Sequence, residues 1–225
     1  VAHMRAEGIP FLFLTNNSSY SPRQLRDRLA GMGIRVGEEH FMTSAMATAS
    51  FLSSQKPGAR VFMIGDTGLQ EALRDAGLTV EEETPDYVVV GETRQYRYEL
   101  IEKAIRCVLR GAGLIGTNPD LTGPGEDGIV PACRALVAPI EMASGRQAYY
   151  IGKPNPLIMR HSLRRLGVQR EETVIIGDRM DTDIVAGIES EIETVLVLTG
   201  ITSREDLPRF PYRPHYVLDD VGQIC

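Results

Sequence analysis

The sequence predicts an α/β protein, a Rossmann-like parallel-sheet core with an inserted α/β cap domain. Three observations carry this. Short β-branched or aromatic runs alternate with longer stretches of helical period, the pattern of repeated strand–helix units. Polar residues stand at the ends of three of these runs, at Thr15, Lys153 and Asp178, and open α/β sheets bind ligands at that edge. The stretch from Ala59 to Arg146 has strand–helix units of its own and a Gly/Pro-rich loop at Thr122–Val130.

Taken in order, strands are expected over Phe11–Thr15, Arg60–Ile64, Tyr87–Val90, Leu114–Thr117, Ala148–Ile151, Thr173–Gly177 and Thr194–Leu198. Helices are expected over Ser21–Gly31, Ser44–Ser54, Gly68–Ala76, Tyr98–Leu109, Cys133–Ala143, Pro156–Leu166 and Asp181–Glu189. Ser21 precedes Pro22 at a first helical position, and Ser44 opens an Ala-rich helix. Gly31, Gly77 and Gly167 read as left-handed stops. Val1–Gly8 reads as the tail of a helix ahead of the first strand. The expected domains are residues 1–58 with 147–225 as the core and 59–146 as the cap.

At 225 residues the chain is long enough to bury one large core or two modest ones. Its formal net charge of -6 and its scattered Lys and Arg argue against a nucleic-acid polymer as partner. The nearest approach to a basic cluster, Arg160 with Arg164 and Arg165, reads as one solvated helix face. Cys107, Cys133 and Cys225 make no CxxC and read as buried reduced thiols, neither a disulfide framework nor a zinc site. No apolar run approaches the ~18 residues of a membrane helix, and no signal peptide is read. A soluble, cytoplasmic protein without a membrane partner is expected.

Three segments carry residues suited to chemistry. In Val174–Asp183 an apolar strand ends at Gly177, Asp178 projects past the sheet edge, and Asp181 to Asp183 open the next helix. Two carboxylates five residues apart, Asp178 and Asp183, suit Mg²⁺, which takes oxygen ligands and keeps waters. Asp181 reads as a helix cap instead. In Phe11–Ser19 an apolar strand runs into small polar residues, either an anion nest or an ordinary polar loop. In Ile151–Pro156 a lysine lies between Gly and Pro just past a strand. It could neutralise a phosphate, although surface lysines are common and this one alone decides nothing.

Together the three are specific. The order of strand-end Thr15, strand-end Lys153, then Gly177-Asp178 with a second Asp five residues on resembles haloacid dehalogenase-type phosphatases. Thr15-Asn16-Asn17, Thr43-Ser44-Ala45, Val90-Gly91-Glu92-Thr93, Thr117-Asn118-Pro119-Asp120 and Gly152-Lys153-Pro154 extend the resemblance to the NagD-like branch. The resemblance implies Mg²⁺-dependent hydrolysis of a small phosphorylated metabolite through an aspartyl-phosphate, with the cap closing over the site and mediating a homodimer. It implies that Thr15 and Asn16, with Asn17, hold the phosphoryl oxygens. Lys153 would hold the phosphate and orient the nucleophile. Asp178 would bind Mg²⁺, Asp183 would support it from behind the direct ligands or through water, and Asn118 and Asp120 would lie near the specificity loop. The rival class is a phosphate- or nucleotide-binding or regulatory module without turnover.

Two departures stand out. The family's first motif, Asp-x-Asp-Gly, is expected upstream of Thr15, but only fourteen residues precede it and the first aspartate is Asp27. The nucleophile and the leaving group's proton donor are therefore expected ahead of this sequence, and the 225 residues alone are expected to be inactive. At Ile188–Ile192 the family usually has a glycine where Glu191 stands, and a left-handed conformation there would cost about 1 kcal/mol. Asp66, in Gly65-Asp66, mimics the metal motif but is expected to be structural.

Overall fold

A computed structural model describes residues 1–224, and Cys225 lies outside the described residues. The chain forms two compact units, one of Phe13–Gly152 and one of Val1–Leu12 with the described part of Lys153–Cys225. A five-residue helix, α1 (Ala2–Ala6), lies in the segment that joins the second unit.

The first unit begins with β1 (Phe13–Thr15). Helix α2 (Pro22–Gly31) follows, opened by the expected Ser21 with a Gln24 capping box and Pro22 in the first turn. Gly31 closes this helix rather than stopping it, and the left-handed residue is Gly33. Strand β2 (Phe41–Thr43) pairs in parallel with β1, and α3 (Ser44–Gln55) follows at once. Thr43, not Ser44, caps α3 by accepting from the Met46 amide. Next come β3 (Arg60–Ile64), α4 (Thr67–Asp75), β4 (Thr79–Val80), β5 (Tyr87–Val90), α5 (Tyr98–Leu109) and β6 (Gly113–Gly116).

The segment expected as a Gly/Pro loop is an antiparallel hairpin, β7 (Thr122–Gly125) with β8 (Gly128–Pro131). Helix α6 (Cys133–Ser144) and β9 (Tyr149–Tyr150) complete the unit. Its main sheet runs β4-β3-β5-β6-β9, all parallel. Val88, Val90, Phe62 and Ile64 pack with Ala104, Val108, Val137 and Ile140 from α5 and α6. Ile101 and Ile105 lie against this core, as expected of cap-core positions, and Cys107 and Cys133 are buried free thiols. Burial pushes the Cys133 thiol up to about 12, so it stays protonated.

The ladder carries this unit past Arg146, because Tyr149 of β9 pairs with Ile115 of β6. Phe13–Gln55 also groups with the five-stranded sheet. The start of α4 comes so close to the preceding loop that a Cβ on Gly68 would stand 2.5 Å from the Tyr20 carbonyl carbon. The compact units thus differ from the expected division at residues 58 and 146.

In the second unit α7 (Pro156–Leu166) is capped by Asn155, which accepts from the Leu157 amide, and ends at left-handed Gly167. β10 (Val174–Gly177) leads into a π-turn at Met180–Ile184 and then α8 (Val185–Glu189). β11 (Glu193–Val197) and β12 (Tyr216–Leu218) extend a parallel sheet in the order β10-β11-β12. Met180, Ile184 and Leu196 are its buried centre. No helix among the described residues is long and apolar enough to cross a membrane.

Candidate active site

Thr15, Asn16, Asn17, Asn118 and Asp120 belong to the first unit, and Lys153, Asp178 and Asp183 to the second. In the first, the polar loop leaves β1 through a side-chain turn, with the Asn17 amide donating to Thr15 Oγ1 at 3.1 Å. Asn17 Oδ1 in turn accepts from the Tyr20 amide at 3.0 Å. The Asn16 carbonyl accepts from Ser44 Oγ at 2.6 Å and from Asn118 Nδ2 at 2.7 Å. Asn16 Nδ2 donates to Asp120 Oδ2 at 3.0 Å, so both asparagines and the aspartate meet. Gly152 has to be a glycine here: a Cβ would sit 2.7 Å from Asn16 Oδ1 and 2.8 Å from the Asn118 Cβ.

Glu92, quoted above only as part of a motif, is at the centre of this cluster. Its carboxylate accepts from the Ser18 amide, from Ser18 Oγ and from Asn118 Nδ2. Burial pushes its carboxyl pKa up, opposed by the Ser18 and Asn118 donors, and the nearby Asp120 adds to the rise. The available sequence signal was an acid one residue beyond an all-apolar strand, Tyr87–Val90 then Gly91-Glu92.

In the second unit Lys153 Nζ donates to Asp183 Oδ1 at 2.6 Å, with both side chains nearly buried at 11% and 8% exposure. Asp183 Oδ2 accepts from the Arg179 amide at 3.1 Å. The carboxylate lies directly against Gly177, where a Cβ would meet Asp183 Cγ at 2.3 Å. Asp181 does not cap a helix: it takes a two-pronged pair from Arg179, at 3.0 and 2.8 Å, and Arg179 occupies the cap position. Asp66 accepts from Thr93 Oγ1 at 2.6 Å and belongs to the first unit.

Asp178 follows β10 directly, and its Oδ2 accepts from the Ile201 amide at 2.9 Å. Gly200 makes room for it, since a Cβ there would stand 2.0 Å from Asp178 Oδ2. No other hydrogen bond from the described residues reaches the carboxylate, so its second oxygen, Oδ1, stands at a strand's carboxyl end without a protein donor. That donor chemistry fits Mg²⁺, which binds one or two carboxylates and fills its sphere with water and phosphate oxygens. Both Asp183 oxygens are engaged by Lys153 and Arg179, which fits a supporting position better than direct ligation. Among the described residues no three His, Cys, Asp or Glu side chains gather as a metal cage.

Residues 1–79 match the family model described as haloacid dehalogenase-like hydrolase, and residues 150–224 match a HAD-hydrolase-like model. The chain belongs to the haloacid dehalogenase-like hydrolases, in their NagD-like branch. It is 45% identical over 217 residues to dihydroxyacetone phosphatase of Corynebacterium glutamicum strain R, covering 96% of this chain and 79% of that protein. It is 43% identical over 218 residues to ribonucleotide monophosphatase NagD of Escherichia coli K12, covering 97% and 86%. The solved structure of NagD from E. coli K-12 superposes with a TM-score of 0.94 at 42% identity, covering 100% of this chain and 88% of that one. Its relatives are phosphatases.

Proposed function

We propose that the protein hydrolyses a small phosphomonoester with Mg²⁺ as cofactor. The observation that supports this best is the grouping at the end of β10: a lysine aimed by a buried carboxylate, and a second carboxylate with an oxygen to spare. Lys153, fixed by Asp183, neutralises phosphate charge and the charge that develops as the phosphoryl group transfers. Asp178 holds Mg²⁺, which when bound shields the phosphoryl oxygens. The resemblance implies that the Thr15 hydroxyl, the Asn16 backbone and Asn17 bind phosphoryl oxygens, and that Asn118 and Asp120 lie near the specificity loop. The resemblance implies an aspartyl-phosphate, which divides hydrolysis into two in-line transfers.

The two relatives named above differ in the substrate their names carry. The panel for this chain therefore includes dihydroxyacetone phosphate, ribonucleoside monophosphates and a sugar phosphate. The test is phosphate release by the purified protein in its native sequence context, with Mg²⁺ and with EDTA. Turnover that needs Mg²⁺ is expected. Phosphate binding without turnover of any panel member would favour a binding module instead. The cytoplasmic location and the homodimer through the cap belong to the same proposal, and sedimentation at high concentration reads the latter.

A further inference from the structure

We infer that Glu92 is a positioning residue that fixes the Thr15–Asn17 loop, and the catalytic consequence of this rests on the phosphatase reading. Glu92 grips the loop at two points. Its Oε2 accepts from the Ser18 amide at 3.0 Å and from Ser18 Oγ at 3.1 Å. Its own amide donates back to Ser18 Oγ at 3.0 Å. Its Oε1 accepts from Asn118 Nδ2 at 2.8 Å, and the same amide group donates to the Asn16 carbonyl at 2.7 Å. Ser18 is thus tied directly and Asn16 through Asn118, and the residue between them, Asn17, is the one whose amide closes onto Thr15 Oγ1.

The surroundings are built for this contact. A Cβ on Gly91 would stand 2.7 Å from Ser18 Oγ, so only glycine lets Glu92 come this close. Ser18 and Asn118 are fully buried. The groups that face the carboxylate oxygens are donors, which the ionised carboxylate matches and an amide cannot. In Glu92→Gln one side-chain NH₂ must point at a donor, so one end of the grip is lost while the side-chain volume stays the same. Asn118, in this arrangement, reaches the loop's backbone through the Asn16 carbonyl.

The test compares wild type with Glu92→Gln, with circular dichroism as the check that both are folded. KM for a turned-over phosphomonoester and Kd for inorganic phosphate are expected to rise about tenfold, the loss of one charge-assisted hydrogen bond. The value of kcat should change less than about twofold, because the loop holds phosphate before and during transfer. Hydrogen exchange at the Asn17 and Ser18 amides is expected to quicken about tenfold, while amides of β5 and β6 keep their protection. Unchanged KM with unchanged loop exchange would overturn the inference. So would uniform loss of protection with KM unchanged, which is what a purely structural role gives. A wild type that turns over no phosphomonoester would instead overturn the phosphatase reading, and the exchange comparison would still decide the role of Glu92 in ordering the loop.

Discussion

At the scale of single residues, the buried Lys153–Asp183 pair depends on what is missing from its neighbour. Gly177 has no side chain, and Asp183 fills the place where one would be. Gly177→Ala therefore pushes Asp183 away from Lys153, and overpacking of this kind costs about 1–3 kcal/mol. Urea unfolding should show that loss, and a variant as stable as wild type would mean Asp183 can shift freely. The strand-end positions of Lys153 and Asp178 were legible in the sequence: Asp178 follows β10 directly, and Lys153 lies three residues past the end of β9. The pair was not, since its partners are thirty positions apart, and a contact across that distance leaves no periodic mark. The same holds for Glu92, whose role depends on Ser18, 74 positions away. Asp181 went the other way: local spacing suggested a cap, and the adjacent Arg179 guanidinium took it instead.

At the scale of elements, the end of α8 shows a local rule broken in full view. The Glu191 amide donates to the Ile188 carbonyl and the Ile192 amide to the Gly187 carbonyl, the paired bonds of a glycine-type helix stop. Glu191 sits there at φ 56, the one described non-glycine residue with positive φ. It also pairs with Arg170 on the surface, an interaction that offsets part of the cost. Glu191→Gly should stabilise the protein by about 0.5–1 kcal/mol, relief of left-handed strain less a weak exposed ion pair. Thermal unfolding checks it, and a lower Tm would show that the ion pair outweighs the strain. The strands at Arg60–Ile64 and Tyr87–Val90 were readable to the residue because Val61–Ile64 and Tyr87–Val90 are unbroken apolar or aromatic runs. β2 and β12 are three residues each, too short to show a period, and β7–β8 is built from Gly and Pro that ordinarily argue against strand.

At the scale of the whole molecule, two carboxylates give the stability profile opposite slopes with pH. The Lys56 ammonium and the Arg60 amide hold Asp86 at about 2, below its ordinary 3.8. Its contribution is therefore complete above 3.8 and is lost as pH falls toward about 2. Glu92 is displaced the other way, so the folded state binds its proton more tightly than the unfolded chain. Ionising it costs stability as pH rises above the ordinary 4.5. Unfolding free energies across the acid range should show Asp86→Asn flattening the low limb and Glu92→Gln flattening the higher one. Unaltered slopes would contradict the hold of Lys56 and Arg60 on Asp86 and the burial of Glu92.

The family and the α/β architecture were legible from the ordered motifs at strand ends, whereas the boundaries of the compact units depended on β9 pairing with β6. The central proposal is that the protein hydrolyses a phosphomonoester with Mg²⁺ held by Asp178. It is tested most directly by Mg²⁺ activation of phosphomonoester hydrolysis in wild type and Asp178→Asn, measured side by side. The substitution keeps the size and removes the charge, so kcat/KM should fall at least roughly 100-fold, with the Mg²⁺ concentration for half-activation displaced upward. Equal turnover with an unchanged magnesium requirement would contradict the account.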